Sequence, residues 1–443
     1  MRKAAFTTLG CKVNQYETQK ILEDFERAGF DIVPFDAEAD VYVINTCSVT
    51  GQAESKSRQT VRRAARQNPE AKVIVTGCAG QMALNHGREF EEADLVVPNP
   101  KKLETLKRFL KAYPGFATGL VPSSEVSAPG FSGRTRATVK IQDGCSVHCS
   151  YCSIPKTRPV MTSRDFEEVI EECRAYARRG FREIVLTGVL IGAYGPETGS
   201  GGPDFEELVE LLCAQDCIDQ LRISSIEMRQ VSPRLIELMS RDGSKIAPHL
   251  HIPLQSGSTK VLSDMNRPYT QEDYIRLCDE VQRRVMDVAI TTDIMVGFPT
   301  ETLEEFEQTV KVCEAVRFAR AHIFRFSERP GTRAEALGDP VAPAEKQARS
   351  IRLMEVTERT RREFVRRHLG RTLPVLVETK DRSTGLLKGH TPNYIEALFP
   401  GPEAMIGKFV DVRLDEERRS VALGEAVANL CIAEDRTELR VVN

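Results

Sequence analysis

Cys145, Cys149 and Cys152 stand together in DGCSVHCSYCSIP, a C-x3-C-x2-C run. With twelve cysteines in 443 residues, chance supplies roughly 0.01 such triplets per chain. Thiolates this close together bind metal. A structural zinc ion takes four protein ligands in a closed tetrahedron. No fourth cysteine lies nearby, and His148 adjoins Cys149, an awkward geometry for sharing one ion. A 4Fe–4S cluster also normally takes four thiolates. Three leave one iron open, as a reactive rather than a structural cluster needs. A second set is scattered: Cys11, Cys47 and Cys78 each follow a β-prone run, in FTTLGC, YVINTC and VIVTGC. In an open parallel sheet the carboxyl ends of the strands share one edge, so these thiols would converge there. The alternative is three independently buried thiols, since free cysteine packs well. Convergence again suggests a 4Fe–4S cluster with one open iron. Cys173, Cys213, Cys217, Cys278, Cys313 and Cys431 read as packing residues, with Cys213 and Cys217 spaced to share a helix face.

The elements that must position these thiols fall in three segments. In residues 1–127, strands at 4–9, 41–45 and 72–76 alternate with helices at 14–28 and 52–67, which implies a parallel sheet. A linker rich in Pro, Ser and Gly follows at 122–133. The segment 134–369 repeats strand–helix six times, with strands at 137–142, 183–187, 222–226, 250–254, 289–296 and 322–326. Helices such as 166–179, 205–213 and 304–316 fall between them. Six units predict a parallel, barrel-like sheet smaller than a full eight-stranded barrel, and 343–368 reads as a long helix leaving it. Residues 370–443 carry short strands at 373–379, 395–399, 409–414 and 421–426, which predicts a small all-β barrel. The fold class is therefore α/β: an open parallel domain, a partial (β/α)6 barrel and a carboxyl-terminal β-barrel.

The chain is 41% hydrophobic and 28% charged, with a net charge of −3. Overall charge therefore points to no polyanionic partner, and any nucleic-acid contact must be local. No apolar run is long enough for a signal peptide or a membrane span. A cytoplasmic protein is expected, with cysteines that are not disulfides.

The central run resembles the signature of the radical S-adenosylmethionine (radical SAM) superfamily, C-x3-C-x-aromatic-C, with Tyr151 in the aromatic position. The resemblance implies a 4Fe–4S cluster on Cys145, Cys149 and Cys152, whose open iron binds SAM, and a 5′-deoxyadenosyl radical made from SAM. Tyr151 would lie beside the adenine. Thr187, Gly188 and Val189 would hold the methionine amino group, and Glu227, Gln255, Ser256 and Arg267 are further SAM-contact candidates. The motifs HLHIPLQSGS, MNRPYT and TTDIMVGFPTET also resemble the family. Met228 and Thr300 depart from the Pro and Gly expected there, as does Pro159 from the Gly after Arg158. No side-chain acid or base is implied, because the chemistry belongs to the cofactors.

With Cys11, Cys47 and Cys78 as an auxiliary 4Fe–4S set, the whole chain resembles the methylthiotransferases. TLGCKVNQYET is similar to the bacterial branch acting on N6-threonylcarbamoyladenosine. Lys12, Val13 and Asn14 match neither the GCQMN of the isopentenyladenosine branch nor the GCPKN of the ribosomal-protein branch. The carboxyl-terminal segment resembles a TRAM domain, in which Lys388, His390, Asn393 and Tyr394 are candidates for RNA phosphate contact and base stacking. Basic helices at 52–67 and 343–368 are equally well read as solvated faces with ion pairs. The resemblance implies methylthiolation at carbon 2 of a base at position 37, a tRNA anticodon arm as partner, and an electron donor such as flavodoxin or ferredoxin. A rival of the same chemistry acts on isopentenyladenosine tRNA or a ribosomal protein. A rival of another class is a noncatalytic iron–sulfur RNA-binding protein, which would have no need of the SAM-contact motifs.

Overall fold

The computed structural model describes residues 2–122 and 135–427. The sequence segment 123–134 and the stretch 428–443, with Cys431, lie outside the described residues.

The first sheet is fully parallel, in the order β2-β1-β3-β4-β5. Its strands are β1 (Lys3–Thr8), β2 (Asp31–Val33), β3 (Val41–Thr46), β4 (Lys72–Gly77) and β5 (Leu95–Val96). The strand β3 is buried along its whole length, which its run of apolar and β-branched residues dictates. Helix α1 (Lys12–Arg27) covers one face through Ile21 and Phe25. Helix α2 (Gly51–Gln67) covers the other through Val61 and Ala64. The short edge strands β2 and β5 carry too little periodicity to be read from sequence.

The central unit holds six parallel strands: β6 (Arg136–Lys140), β9 (Glu183–Thr187), β10 (Gln220–Ile223), β11 (His249–His251), β12 (Ala289–Val296) and β13 (Arg320–Arg325). A two-stranded ribbon of β7 (Gln142–Asp143) and β8 (Thr162–Ser163) sits at one end. Hydrogen bonding groups the six as β10-β9-β6 and β11-β12-β13. Single bridges, Leu221 to Ile246 and Ser225 to His251, join the halves. Residues facing the helices, such as Ile184, Leu186, Leu221, Ile223, Leu250 and Ile290, form the largest core. Among the described residues the sheet does not close: β13 pairs only with β12, and α1 lies against β6.

The last unit is a closed barrel, β14-β15-β16-β18-β17, of β14 (Thr372–Lys380), β15 (Leu387–His390), β16 (Glu396–Phe399), β17 (Phe409–Arg418) and β18 (Val421–Ala426). The strand β15 was missing from the sequence-based reading, and it carries Lys388 and His390. The helix Pro343–Arg366 reaches this barrel through Phe364 and Val365. Its arginines are spent on ion pairs, Arg359 to Glu314 at 2.8 Å and Arg366 to Glu417 at 2.9 Å among them, which is the solvated-face reading of that helix.

Two readings of individual residues are corrected. Cys217 is exposed and lies in a turn beyond the helix Phe205–Cys213, so it neither packs in a core nor shares a helix face with Cys213. Asn393 and Tyr394 are not on a free surface. The amide of Asn393 donates to the Asp287 carbonyl at 3.1 Å, and Tyr394, at φ +67, stacks on His249 with ring centroids 4.8 Å apart. The Arg222 guanidinium lies 4.6 Å from the Tyr394 ring. The carboxyl-terminal barrel thus plugs the amino-terminal end of the six-stranded sheet. Lys388 is paired to Glu396 at 2.8 Å and His390 to Glu378 at 2.7 Å.

At this seam burial, then the neighbouring Arg222, push the His249 pKa well below 6.5. A histidine held neutral contributes its stability fully above its unfolded pKa, and loses it as pH falls toward the folded value. The wild-type protein should therefore lose stability below about pH 6.5, by up to about 1.4 kcal/mol per pH unit from this one group. Thermal melts of His249→Gln should show a shallower pH slope; an unchanged slope would exclude His249 as its source.

Candidate functional site

Cys11, Cys47 and Cys78 follow β1, β3 and β4, three adjacent strands of one sheet. Cys11 caps α1, and Cys78 opens helix α3 (Cys78–Asn85). Two glycines shape the loops. Gly10 has φ +97, and a Cβ there would lie 2.8 Å from the Cys47 sulfur. Gly77 has φ +90, and a Cβ would meet the Asn45 side chain and the Thr46 backbone. A residue with a side chain fits neither place, so each Gly-Cys pair is a requirement of close approach. Asn14 fastens the first two loops: its Nδ2 donates to the Leu9 carbonyl at 2.9 Å and the Thr46 carbonyl at 3.0 Å.

The three thiols share one electrostatic neighbourhood. Burial, with Cys78 and Cys11 also contributing, pushes the Cys47 thiol up to about 11, against the opposing Val49 N–H. That N–H donates to Cys47 Sγ at 3.5 Å, and Asn99 Nδ2 lies 3.9 Å from Cys78 Sγ. Donors aimed at sulfur suit thiolates that share charge with iron. Among the described residues no three His, Cys, Asp or Glu side chains close on a single metal ion.

The central thiols sit on the loop after β7. N–H groups of Val147 and Ile154 donate to Cys145 and Cys152 sulfurs, each at 3.4 Å, and Arg267 Nη1 lies 3.4 Å from Cys149 Sγ. Burial lifts the Cys152 thiol to about 12, a proton that a bound metal displaces. Arg267 is itself buried and pairs with Glu227, Nη1 to Oε1 at 3.0 Å, so two of the SAM-contact candidates are assembled against the cysteine loop. Thr187 ends β9 and Gly188 and Val189 follow it, with the Val189 N–H donating to Gln142 Oε1 at 3.1 Å. Gln255 is buried at φ +65 with Oε1 unpartnered among the described residues. Ser256 is fully buried and its hydroxyl accepts from the Ser258 N–H at 3.2 Å, a structural use. Tyr151 packs on the apolar set of Met265, Met295 and Phe298. A cleft of about 670 Å³ lined by His148, Asn266 and Arg267 opens beside the loop. Of the departures, Thr300 donates to Asp264 at 2.6 Å, Met228 fills core and Pro159 is exposed.

What joins the two sites was not singled out from sequence. Glu17 of α1 is buried and accepts from Arg158 at 2.8 and 2.9 Å, from Lys102 at 2.7 Å and from Lys140 at 2.6 Å. Arg158 also donates to Asn14 Oδ1 at 3.0 Å and to Asp143 at 2.7 Å. Asp143 is two residues before Cys145, and Asn14 three after Cys11. Burial alone would raise the Glu17 carboxyl, but Lys102, Arg158 and Lys140 together hold it well below the usual carboxylate range. Arg329, paired to Glu54 at 3.2 Å, makes a second tie from the central unit to α2.

Comparison with known proteins agrees with this layout. Residues 139–313 match the model of the Radical SAM superfamily, 3–98 that of Uncharacterized protein family UPF0004, and 366–427 that of the TRAM domain. The chain is 38% identical over 427 residues to the threonylcarbamoyladenosine tRNA methylthiotransferase MtaB of Bacillus subtilis, covering 94% of each chain. It is 33% identical to a tRNA-2-methylthio-N(6)-dimethylallyladenosine synthase of Methylacidiphilum infernorum, covering 92% of this chain and 91% of the relative. Among solved structures, the radical S-adenosylmethionine methyltransferase TsrM of Kitasatospora setae superposes with a TM-score of 0.54 at 14% identity, covering 76% of this chain and 75% of that one, a likeness of fold.

In the hub, three cations face two carboxylates. Glu17→Gln leaves Lys102, Lys140 and Arg158 with Asp143 alone, and should cost about 3–5 kcal/mol. Arg158→Met leaves two cations against two carboxylates and should cost clearly less. Denaturant titrations of the two variants check the order.

Proposed function

Because the chain belongs to the radical SAM methylthiotransferase family, we propose that it adds a methylthio group to carbon 2 of N6-threonylcarbamoyladenosine at position 37 of tRNA. The observation that carries this reading is the pairing of two cysteine triads, on separate sheets, through one buried charge hub. The relatives named for threonylcarbamoyladenosine and the outward-facing Lys12 of the Lys12-Val13-Asn14 motif support the substrate. Val13 and Asn14 are buried, so Lys12 is the member of that motif that is free to touch a ligand.

In this reading residues 134–369 form the radical SAM domain, 1–127 the auxiliary-cluster domain and 370–443 the RNA-binding domain. Cys145, Cys149 and Cys152 hold the 4Fe–4S cluster that goes with the family, and Cys11, Cys47 and Cys78 hold a second. The clusters with SAM supply the radical and the sulfur for a carbon whose hydrogen acid–base catalysis cannot replace. The chain's own residues position and shield. Arg267 and Glu227 fix each other beside Cys149, so neither swings to quench the site. Gln255 offers its free Oε1 to the amino group of SAM, and Tyr151 presents an apolar face to the adenine. The one-electron donor, a flavodoxin or ferredoxin, approaches along the cleft at His148 and Asn266. The target base, single-stranded in its loop, splays out at lower cost than from a duplex.

Anaerobically reconstituted enzyme should hold about eight irons, four per cluster, and Ala at Cys145, Cys149 and Cys152 should remove about half. Full iron in that variant would refute the central assignment. Ala at Cys11, Cys47 and Cys78 should leave 5′-deoxyadenosine formation and abolish the methylthio product. Mass spectrometry of nucleosides should find tRNA carrying threonylcarbamoyladenosine converted and tRNA carrying dimethylallyladenosine nearly untouched; equal conversion would transfer the chain to the other substrate branch.

A further inference from the structure

Part of the inner face of the six-stranded sheet is polar where a packed barrel would be apolar; Met295 and Phe324, further along the same face, are apolar. Residues alternate along a strand, and the set opposite to the helix-facing core includes His251, Thr291, Asp293 and His322. They are linked: His251 Nε2 lies 3.2 Å from Asp293 Oδ2, His251 Nδ1 lies 3.0 Å from Thr291 Oγ1, and the rings of His251 and His322 are 6.0 Å apart. The assigned SAM contacts use none of them. The seam of Tyr394, Arg222 and His249 closes the floor beneath.

The side is open. The strand β13 has one unpaired edge, where Arg320 and His322, two residues apart, share a face and are exposed. Lys12 is close enough across the gap for its charge to bear on His322 and His249. Arg136, Arg222, Arg267, Arg349, Arg352 and Arg371 each carry a carboxylate. Arg320 and Lys12 have no ion pair or hydrogen bond from their side chains among the described residues. Two unpartnered cations on the open edge beside these polar side chains focus positive potential where an anion would enter.

We propose that Lys12 and Arg320, with His322 beside them, form the receptor for a carboxylate on the N6 substituent of the substrate base, and that His251 and Asp293 line the pocket holding the base. The inference rests on the proposed function and names what that site reads. A threonylcarbamoyl group ends in such a carboxylate, which a guanidinium can take in two parallel charge-assisted bonds. An isopentenyl group would strip water from both cations and return nothing. A site built for a polar group rejects its apolar analogue far more strongly than the reverse.

The test uses the full chain with both clusters reconstituted and fluorescent anticodon stem-loops carrying N6-threonylcarbamoyladenosine or its neutral methyl ester. The acid should bind at least about tenfold tighter than the ester, and added salt should narrow the gap. Lys12→Met/Arg320→Met should bind acid and ester alike, and Arg320→Lys should keep part of the preference. Both side chains are exposed, so the variants keep the fold. Equal binding of acid and ester by the intact enzyme, or a preference surviving in the double variant, overturns the receptor. Methylthiolation of the acid substrate by an enzyme without that preference would leave the proposed function standing and the receptor refuted. An acid preference without methylthiolation would do the reverse.

Discussion

The contact on which the rest depends is the buried carboxylate of Glu17. It comes from the first helix, yet three cations from elsewhere converge on it: Lys102 from its own domain, Lys140 from β6 and Arg158 from the segment just after the cysteine loop. A buried charge is tolerated only when paired and hydrogen-bonded. The amino-terminal sheet therefore has one low-energy placement against the six-stranded unit. A hydrophobic patch would allow sliding, whereas a bidentate guanidinium on a carboxylate fixes distance and angle together. Because Arg158 also holds Asn14 and Asp143, the same contact registers the loops of Cys11 and Cys145.

That registration matters for chemistry that needs two centres. Proximity and orientation are worth a large part of a barrier only if the reacting groups are held in place. Here each triad is built on a rigid device of its own: strand ends for Cys11, Cys47 and Cys78, with glycine turns at Gly10 and Gly77, and a loop locked by N–H donors and Arg267 for Cys145, Cys149 and Cys152. The hub joins two local rigidities into one. At the other end, Tyr394 and Asn393 seat the β-barrel on the floor of the central sheet.

Much was legible in the sequence, for identifiable reasons. Metal-ligand spacing is local, so the central triad could be read directly. The second triad could be read because each cysteine follows a β-prone run, and parallel strands must align their ends. Strands β9 and β12 fell within the expected limits, since both are β-branched runs buried along almost their whole length. The edge strands β2 and β5 and the polar strand β15 did not, because strands of two to four residues with mixed polarity carry no period.

Other roles had no sequence signal, because they arise from contacts between residues far apart in the chain. Lys388, His390, Asn393 and Tyr394 have the chemistry of an RNA contact, and only the packing showed Asn393 and Tyr394 turned into a seam against Asp287, Arg222 and His249. Asn14, read as part of a substrate motif, is a clamp between two loops, so its identity is set by two backbone carbonyls. Glu17, Lys102, Lys140 and Arg158 looked like four ordinary charges. The sequence alone determined the main strands and the cysteines that follow them, since both depend on neighbours a few residues away. Which charges are buried together, and hence how the loops of Cys11 and Cys145 are tied, was decided only by the tertiary structure, since desolvation is a property of the folded surroundings.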